Sequence, residues 1–210
     1  MKKYKYLCLI EAILFAFIGG FSNVYTYLYR GGIFSNMQTG NLIKFIIRLS
    51  NGSFEPLYFV PIISFIIGCI ISPLINKLKN SYIINQIIII AVYLICGFIP
   101  SSSILDILTV SIMAFIGAIM FESFNECLNT SYTSIMCTNN MRLFSKSIIE
   151  KNYHKVFFYL SIIVFFSIGA FVSALLGRTF EIYSISFLSI IVIFSLFITI
   201  IKNKNDIINR

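Results

Sequence analysis

Charged side chains are scarce in this chain of 210 residues. Asp, Glu, Lys and Arg make up only 11% of it, whereas globular proteins carry about 25%. Hydrophobic residues make up 58%, and the mean hydropathy is +0.91. The apolar runs approach the roughly 20 residues that a helix needs to cross a bilayer. Because a backbone in lipid must satisfy its own hydrogen bonds, these runs predict an all-α integral membrane protein.

Residues for metal and catalytic chemistry are also scarce. His154 is the only histidine and lies between lysines, which argues against a histidine metal site or a catalytic triad. The five cysteines form no Cys-x-x-Cys pair, which favours buried free thiols over disulfides. Glu122 and Glu126 are the one candidate acidic pair, and their spacing predicts that they share a helix face. They can bind a proton or cation, or pair with Arg142 and Lys146, but we expect no enzyme activity and no cofactor.

The net charge of +8 comes from basic residues in short loops and tails. That distribution is typical of the positive-inside rule for membrane proteins and does not indicate a nucleic-acid partner. The basic start resembles a signal peptide, but its apolar run continues to Tyr29, so we expect a retained first helix. Glu11 lies about two turns after Lys5 and is expected to reach the headgroups. Six long helices are predicted: Tyr6–Tyr29, Leu57–Ile75, Tyr82–Ile99, Ile104–Leu128, Val156–Leu176 and Ile182–Ile201.

Two polar segments, which we call the first and second islands, interrupt the apolar runs 99 residues apart. The first island is Ser35–Leu42 and the second is Ser134–Met141. Each leads into a short amphipathic stretch, Leu42–Leu49 or Met141–Glu150. The shift superposes Ser35, Met37, Thr39, Asn41 and Phe45 on Ser134, Met136, Thr138, Asn140 and Phe144. The chain is therefore interpreted as a single domain, 1–210, with one repeat at about 6–99 and another at about 104–201.

The placement of basic residues predicts that the islands dip into the membrane and return. Residues 33–49 and 132–149 would then be re-entrant or broken helices, and most basic residues would share the cytoplasmic side. Those residues are Lys2, Lys3, Lys5, Lys77, Lys79, Arg142, Lys146, Lys151, Lys155, Lys202, Lys204 and Arg210. Only Arg30, Lys44, Arg48 and Arg178 lie opposite. The prediction is six transmembrane helices as two inverted three-helix repeats, with both termini in the cytoplasm.

Each island is predicted to open a helix whose free N–H groups face a central polar site. Thr39 and Thr138 are expected to cap these helices, and such helix starts suit an anionic or carbonyl-bearing solute. The alternative is that the polar groups only cap and pack the re-entrant helices. Intramembrane Glu122 joins the candidates because ionisable residues in lipid are costly. The candidate substrate-binding residues are Asn23, Asn36, Gln38, Thr39, Gly40, Asn41, Glu122, Thr138, Asn139 and Asn140.

Three segments of the chain resemble the YoaK family of bacterial membrane proteins, a domain family of unknown function. The resemblance is carried by residues 19–27, 32–42 and 136–142, with Gln-Thr-Gly-Asn at 38–41 the most specific block. The family typically has Asp at the position of Asn23, Gly at Asn139 and Gln near Glu122. The resemblance implies a six-helix protein of the bacterial cytoplasmic (inner) membrane and supplies no established activity.

The leading functional hypothesis is a transporter or channel for a small polar or anionic solute. A second hypothesis is a scaffold, sensor or lipid-interacting protein that transports nothing and forms homo-oligomers. A membrane-embedded enzyme is a third, weaker alternative. The expected partners are membrane lipids and the unidentified solute, without nucleic acid.

Overall fold

The computed structural model describes residues 2–208 and, within them, the side chains of residues 6–203. It is 80% helical, and five described stretches are long and apolar enough to cross a membrane. They are Tyr6–Tyr29, Pro56–Ile75, Ser81–Phe98, Ser103–Ser123 and Tyr153–Asn203. This confirms a membrane-like helical protein. The side chains of Lys2, Lys3, Lys5 and Lys204 and the whole of Arg210 lie outside the described part.

Eight α-helices and one short hairpin are described between residues 2 and 208. The elements are α1 (Lys2–Tyr29), α2 (Gln38–Ser50), α3 (Pro56–Ile75), α4 (Ser81–Phe98), α5 (Ser103–Ser123), β1 (Glu126–Cys127), β2 (Thr130–Ser131), α6 (Thr138–Ile149), α7 (Tyr153–Phe180) and α8 (Phe187–Ile208). A 3₁₀ segment, Glu181–Ser186, joins α7 to α8. Helix starts follow familiar local rules: Pro56 opens α3, and the Ser102 and Asn152 side chains cap α5 and α7.

The fifth helix is shorter than predicted, and this separates the two glutamates. Leu128 and Asn129 both have positive φ and form the two-residue turn of the β1–β2 hairpin. The helix therefore ends at Ser123 and not at Leu128. Glu126 lies in β1, so the prediction that Glu122 and Glu126 share a helix face is wrong.

Two of the cysteines are paired, contrary to the expectation of free thiols. Cys8 of α1 and Cys127 of β1 form a disulfide, with their Cα atoms 5.8 Å apart. The hairpin brings Cys127 back to the start of α1 across 119 residues of sequence, which no local motif indicates. Cys69, Cys96 and Cys137 are free.

The helices pack in pairs, with glycines at the closest contacts. In the α1–α7 pair, a Cβ atom at Gly20 would overlap the Phe166 carbonyl oxygen, and one at Gly169 would overlap that of Phe17. In the α3–α5 pair, a Cβ atom at Gly68 would lie 2.7 Å from the Phe115 carbonyl oxygen. Helix α4 packs on α8, α2 on α3, and α6 on α7. Small residues at such crossings let helix backbones approach closely.

A buried arginine joins the end of α1 to the α4–α5 loop. The Arg30 side chain is fully buried and forms an ion pair with Asp106, with Nη1 and Oδ1 3.0 Å apart. It also donates to the carbonyl oxygens of Cys96, Ile99 and Pro100 and to Tyr25 Oη. A buried charge persists when it is paired and fully hydrogen-bonded, as this one is.

A second ion pair involves Glu11 of α1. Its carboxylate pairs with Lys202 of α8 and accepts a hydrogen bond of 2.6 Å from Thr199 Oγ1. Gln86 of α4 donates to Thr199, so three helices meet at this carboxylate. Glu11 is therefore buried between helices and paired with a cation distant in sequence.

The ends of the helices form two groups. Gly31 packs against Leu57, so α3 begins beside the end of α1. Lys44 of α2 donates to the Gly32 carbonyl oxygen near the same place. At the other end of α3, Asn76 accepts hydrogen bonds from Asn85 and Ser123. After α2, the chain thus returns to the end of the molecule where it left α1.

Candidate functional site

The first island runs back along the last turns of α1. Ser35 N donates to Thr26 Oγ1 and Asn36 N donates to Asn23 Oδ1, both at 3.0 Å. The Asn36 side chain donates to Ser22 Oγ at 2.9 Å. All five of these residues are buried. Side chains of α1 therefore satisfy non-helical backbone that would otherwise be unpaired.

Asn41 holds the returning chain at the start of α2. Its Oδ1 accepts from Phe34 N at 3.0 Å, and its Nδ2 donates to Phe34 O at 2.6 Å. The same amide donates to Gln38 Oε1 at 2.9 Å. A single side chain thus pairs with both the backbone N–H and the backbone C=O of Phe34.

The second island repeats this arrangement. Asn140 Oδ1 accepts from Thr133 N at 3.0 Å, and its Nδ2 donates to Thr133 O at 2.7 Å and Met136 O at 3.0 Å. Asn140 and Thr133 lie 99 residues after Asn41 and Phe34. The spacing seen in the sequence therefore corresponds to one hydrogen-bonded motif built twice.

Each island also contacts the helix that precedes the other. Asn36 lies against Gly117 of α5, where a Cβ atom would overlap its Oδ1. Ile135 lies against Gly19 of α1, where a Cβ atom would be 2.6 Å from the Ile135 Cα. The two islands are therefore held by the same pair of helices, α1 and α5.

One cavity of about 800 Å³ lies between the two helix starts. Its lining includes the predicted residues Gln38, Thr39, Gly40, Thr138 and Asn139. The remaining lining residues are Met37, Phe121, Thr133, Met136, Cys137, Arg142 and Phe166. The structure thus brings together five candidates from two segments that are about 100 residues apart in the chain.

The two threonines do not cap their helices as predicted. The N-cap residues are Met37 and Cys137, and neither donates or accepts a capping hydrogen bond through its side chain. Thr39 is the second residue of α2, and Thr138 is the first of α6. Because Asn41 and Asn140 hold the incoming backbone, the threonine hydroxyls are left to line the cavity.

The cavity has a positive electrostatic character. Among the described residues, Arg142 is the only charged one in its lining, and its Nε and Nη2 both lie 3.3 Å from Asn139 Oδ1. The amino-terminal ends of α2 and α6 add partial positive charge. The lining thus combines hydroxyls, amides and a guanidinium, all of which can donate to an oxyanion. Within the described residues, no cluster of His, Cys, Asp or Glu could hold a metal ion.

The other predicted residues lie outside this lining. Asn23, Asn36, Asn41 and Asn140 are buried and fix the islands, as described above. Glu122 is half-buried near the end of α5, beside Cys69 of α3, and does not line the cavity.

Two parts of the site were missed by the sequence analysis. Phe121 and Phe166 supply apolar walls, but nothing separates them from the many other phenylalanines in apolar runs. Arg142 was assigned only as a partner for glutamate. Its position could have indicated a role at the site, because Arg142 lies in the first turns of the helix that follows the second island.

Comparison with known protein families identifies a match over most of the chain. The model of a family described as "Protein of unknown function (DUF1275)" matches residues 11–201, which include both islands and both short helices. No curated protein and no solved structure matches the chain.

Proposed function

This chain belongs to the DUF1275 family of proteins of unknown function, which includes the YoaK proteins, and we propose that it is a small-solute transporter or channel. The observation that carries the proposal is the cavity of about 800 Å³ between the starts of α2 and α6. Non-helical backbone at membrane depth is tolerated where it is buried in protein or lines a wet cavity. The tips of the islands are buried in protein, and the helix starts that follow them line the cavity.

The proposed architecture is six crossings in two inverted repeats, α1–α4 and α5–α8. If the two repeats are exchanged, the contact between α1 and α7 becomes a contact between α5 and α3, and the contact between α2 and α3 becomes one between α6 and α7. All four of these helix contacts are present. The stretch Tyr153–Asn203 holds 51 residues and contains α7 and most of α8, which is enough length for two crossings. Inverted repeats around interrupted helices are a recurring transporter design.

The proposed location is the bacterial inner membrane, with both termini in the cytoplasm. Lys202 pairs with Glu11 near the start of α1, so the described ends of α1 and α8 lie together. Asn76, next to Lys77, accepts a hydrogen bond from Ser123 at the end of α5. This contact lies in one group of helix ends, and Gly31 lies in the opposite group. These contacts support re-entrant islands and agree with the positive-inside rule.

The proposed solute is small and carries an oxyanion or a carbonyl group. Arg142, Thr39 and Thr138 supply donors around the cavity, and no described carboxylate lines it. Phe121 and Phe166 provide apolar contacts for the rest of the solute. We also propose that the protein has no enzymatic activity and does not bind nucleic acid.

A scaffold or lipid-interacting role is the second candidate. It is favoured by the tips of the islands, where Ser35, Asn36, Ser134 and Ile135 are all at most 1% exposed. Such packing is expected if the islands only stabilise the fold. A scaffold of this kind is also compatible with a homo-oligomer. Transport is proposed first because hydrogen-bond donors from both islands line one shared cavity.

The test begins with a thermal-shift screen of anionic metabolites on purified protein, followed by uptake of each hit into proteoliposomes. A ligand at 100 times its Kd adds about 2.7 kcal/mol of stability, which is readily measured. Arg142→Gln should weaken binding about tenfold, the usual effect of losing a hydrogen bond to a charged group. Lys146→Gln, on the same helix and paired only with exposed Glu150, is the matched control.

Two results would count against the proposal. Folded wild-type protein that binds no metabolite and takes up none would favour the scaffold. If Arg142→Gln binds the ligand as strongly as wild type does, the cavity is not the ligand-binding site.

A further inference from the structure

A second cavity, of about 390 Å³, lies at the end of the molecule where α1 ends and α3 begins. We call it the basic groove. It is lined by Tyr27, Gly32, Lys44, Ile47, Arg48, Asn51 and Tyr58. None of these residues lines the cavity between the islands. Its two charged lining residues are both cationic, so the basic groove is suited to an anion.

Lys44 is held in place by aromatic rings and has no anionic partner among the described residues. Its Nζ lies 4.6 Å from the ring centroids of both Tyr27 and Phe34 and donates to the Gly32 carbonyl oxygen. No described ion pair includes it. A desolvated ammonium without a counter-ion would gain from an anion bound beside it.

Arg48 adds donors one turn further along α2. Its Nε lies 3.5 Å from Glu55 Oε1, and the two side chains are 52% and 35% exposed. Such an exposed pair is weak and leaves the terminal guanidinium nitrogens available. Asn51 and Tyr58 line the same space and supply an amide and a hydroxyl. Together these groups match the oxygens of a phosphate.

The surroundings indicate a lipid source for that phosphate. Ile43, Ile46 and Ile47 of α2 are all more than half exposed and form an apolar surface next to the basic groove. The groove lies at the helix ends, where headgroups meet the chain, and tyrosines are enriched at that level. Basic pockets between helix ends are known to bind anionic headgroups.

We propose that the basic groove binds the phosphate of an anionic phospholipid, with Lys44 and Arg48 contacting the phosphate and the isoleucines of α2 contacting the acyl chains. This lipid site is separate from the proposed solute cavity and does not depend on transport. It would fix the outer end of α2, and hence the first island, to the surrounding membrane.

The experiment measures lipid binding by native mass spectrometry and thermal stability in detergent. The probes are phosphatidylglycerol, phosphatidylcholine and inorganic phosphate. Wild type should retain phosphatidylglycerol in preference to phosphatidylcholine. Lys44→Gln and Arg48→Gln should each weaken phosphatidylglycerol binding about fivefold, the usual contribution of one basic residue near an anionic membrane surface. Lys146→Gln, which removes one charge from the other amphipathic helix, should change nothing.

The outcomes are distinguishable even if one variant folds poorly. Arg48 is 52% exposed, so Arg48→Gln should fold and keeps the test valid if Lys44→Gln does not. Phosphatidylglycerol binding that is unchanged in Arg48→Gln and in any folded Lys44→Gln would overturn the proposal. Equal binding of phosphatidylglycerol and phosphatidylcholine, together with stabilisation by inorganic phosphate alone, would overturn the assignment to a lipid.

Discussion

The two islands are built on the same asparagine motif but differ at their tips. Asn36, at the tip of the first, donates to Ser22 of α1 and lies against Gly117. The equivalent residue of the second is Ile135, which packs on the backbone of Gly19 without a polar partner. The asparagine motif therefore defines the shape of an island, whereas its anchoring can be polar or apolar.

The segments that lead into the islands differ as well. The chain enters the first island after Arg30, which is locked to Asp106 and three backbone carbonyls. It enters the second after the β1–β2 hairpin, which Tyr159 holds through Ser131 O and Cys127 holds through its disulfide. A charged cluster and a covalently tethered hairpin thus perform the same task, which is to turn the chain back towards the interior.

The largest expected effect is at Arg30. Arg30→Met leaves buried Asp106 without its partner, so the free energy of unfolding in detergent should fall by about 3–5 kcal/mol. Arg48→Met is the control, because its exposed pair with Glu55 should contribute no more than about 1 kcal/mol. Equal losses in the two variants would show that the Arg30 cluster does not secure the first island.

The next largest effect tests whether the shared motif is equally important in both islands. Asn41→Leu and Asn140→Leu each leave a backbone N–H and C=O unpaired, which should cost about 2–4 kcal/mol of unfolding free energy. The two losses should agree within about 1 kcal/mol because the bonds to the Phe34 and Thr133 backbones are equivalent, and only the third bond of each asparagine differs. Asn139→Leu, at an exposed neighbouring position, should have little effect. A loss at only one asparagine would contradict the comparison.

The smallest effect comes from exchanging the two tips. Asn36→Ile removes one hydrogen bond and should cost about 1 kcal/mol, whereas Ile135→Asn buries an unpaired amide and should cost about 1–3 kcal/mol. Ile135→Leu, which keeps the volume, should cost less than about 1.5 kcal/mol. Thermal unfolding of all three proteins gives the order. The reverse order would mean that the second tip has a hidden polar partner.

Most helix positions could be predicted from the sequence, because lipid imposes long apolar runs with polar ends. The predicted Leu57–Ile75 and the observed Pro56–Ile75 differ by one residue. The end of α5 was missed because Leu128 gives no sign that it adopts a positive φ. The spacing of the islands predicted their equivalence, but not that asparagine, rather than threonine, would hold the chain.

The long-range pairings could not be predicted. Arg30 and Asp106 are 76 residues apart, and Glu11 and Lys202 are 191 apart. Neither pair has a local signal in the sequence that joins its two members. Only the packing of helices shows that these charges neutralise one another, and helix packing is not encoded in any single run of residues.

The glycine contacts determine which helices can move as one body. At Gly20 and Gly169, α1 and α7 touch backbone to backbone, and at Gly68, α3 approaches the backbone of α5. Contacts without intervening side chains cannot adjust by changing rotamers, so each pair is expected to stay rigid. Each pair also takes one helix from each half of the chain. A rocking motion would therefore separate two mixed bodies, α1 with α7 and α3 with α5, and the hinge would not coincide with the boundary between the halves of the sequence.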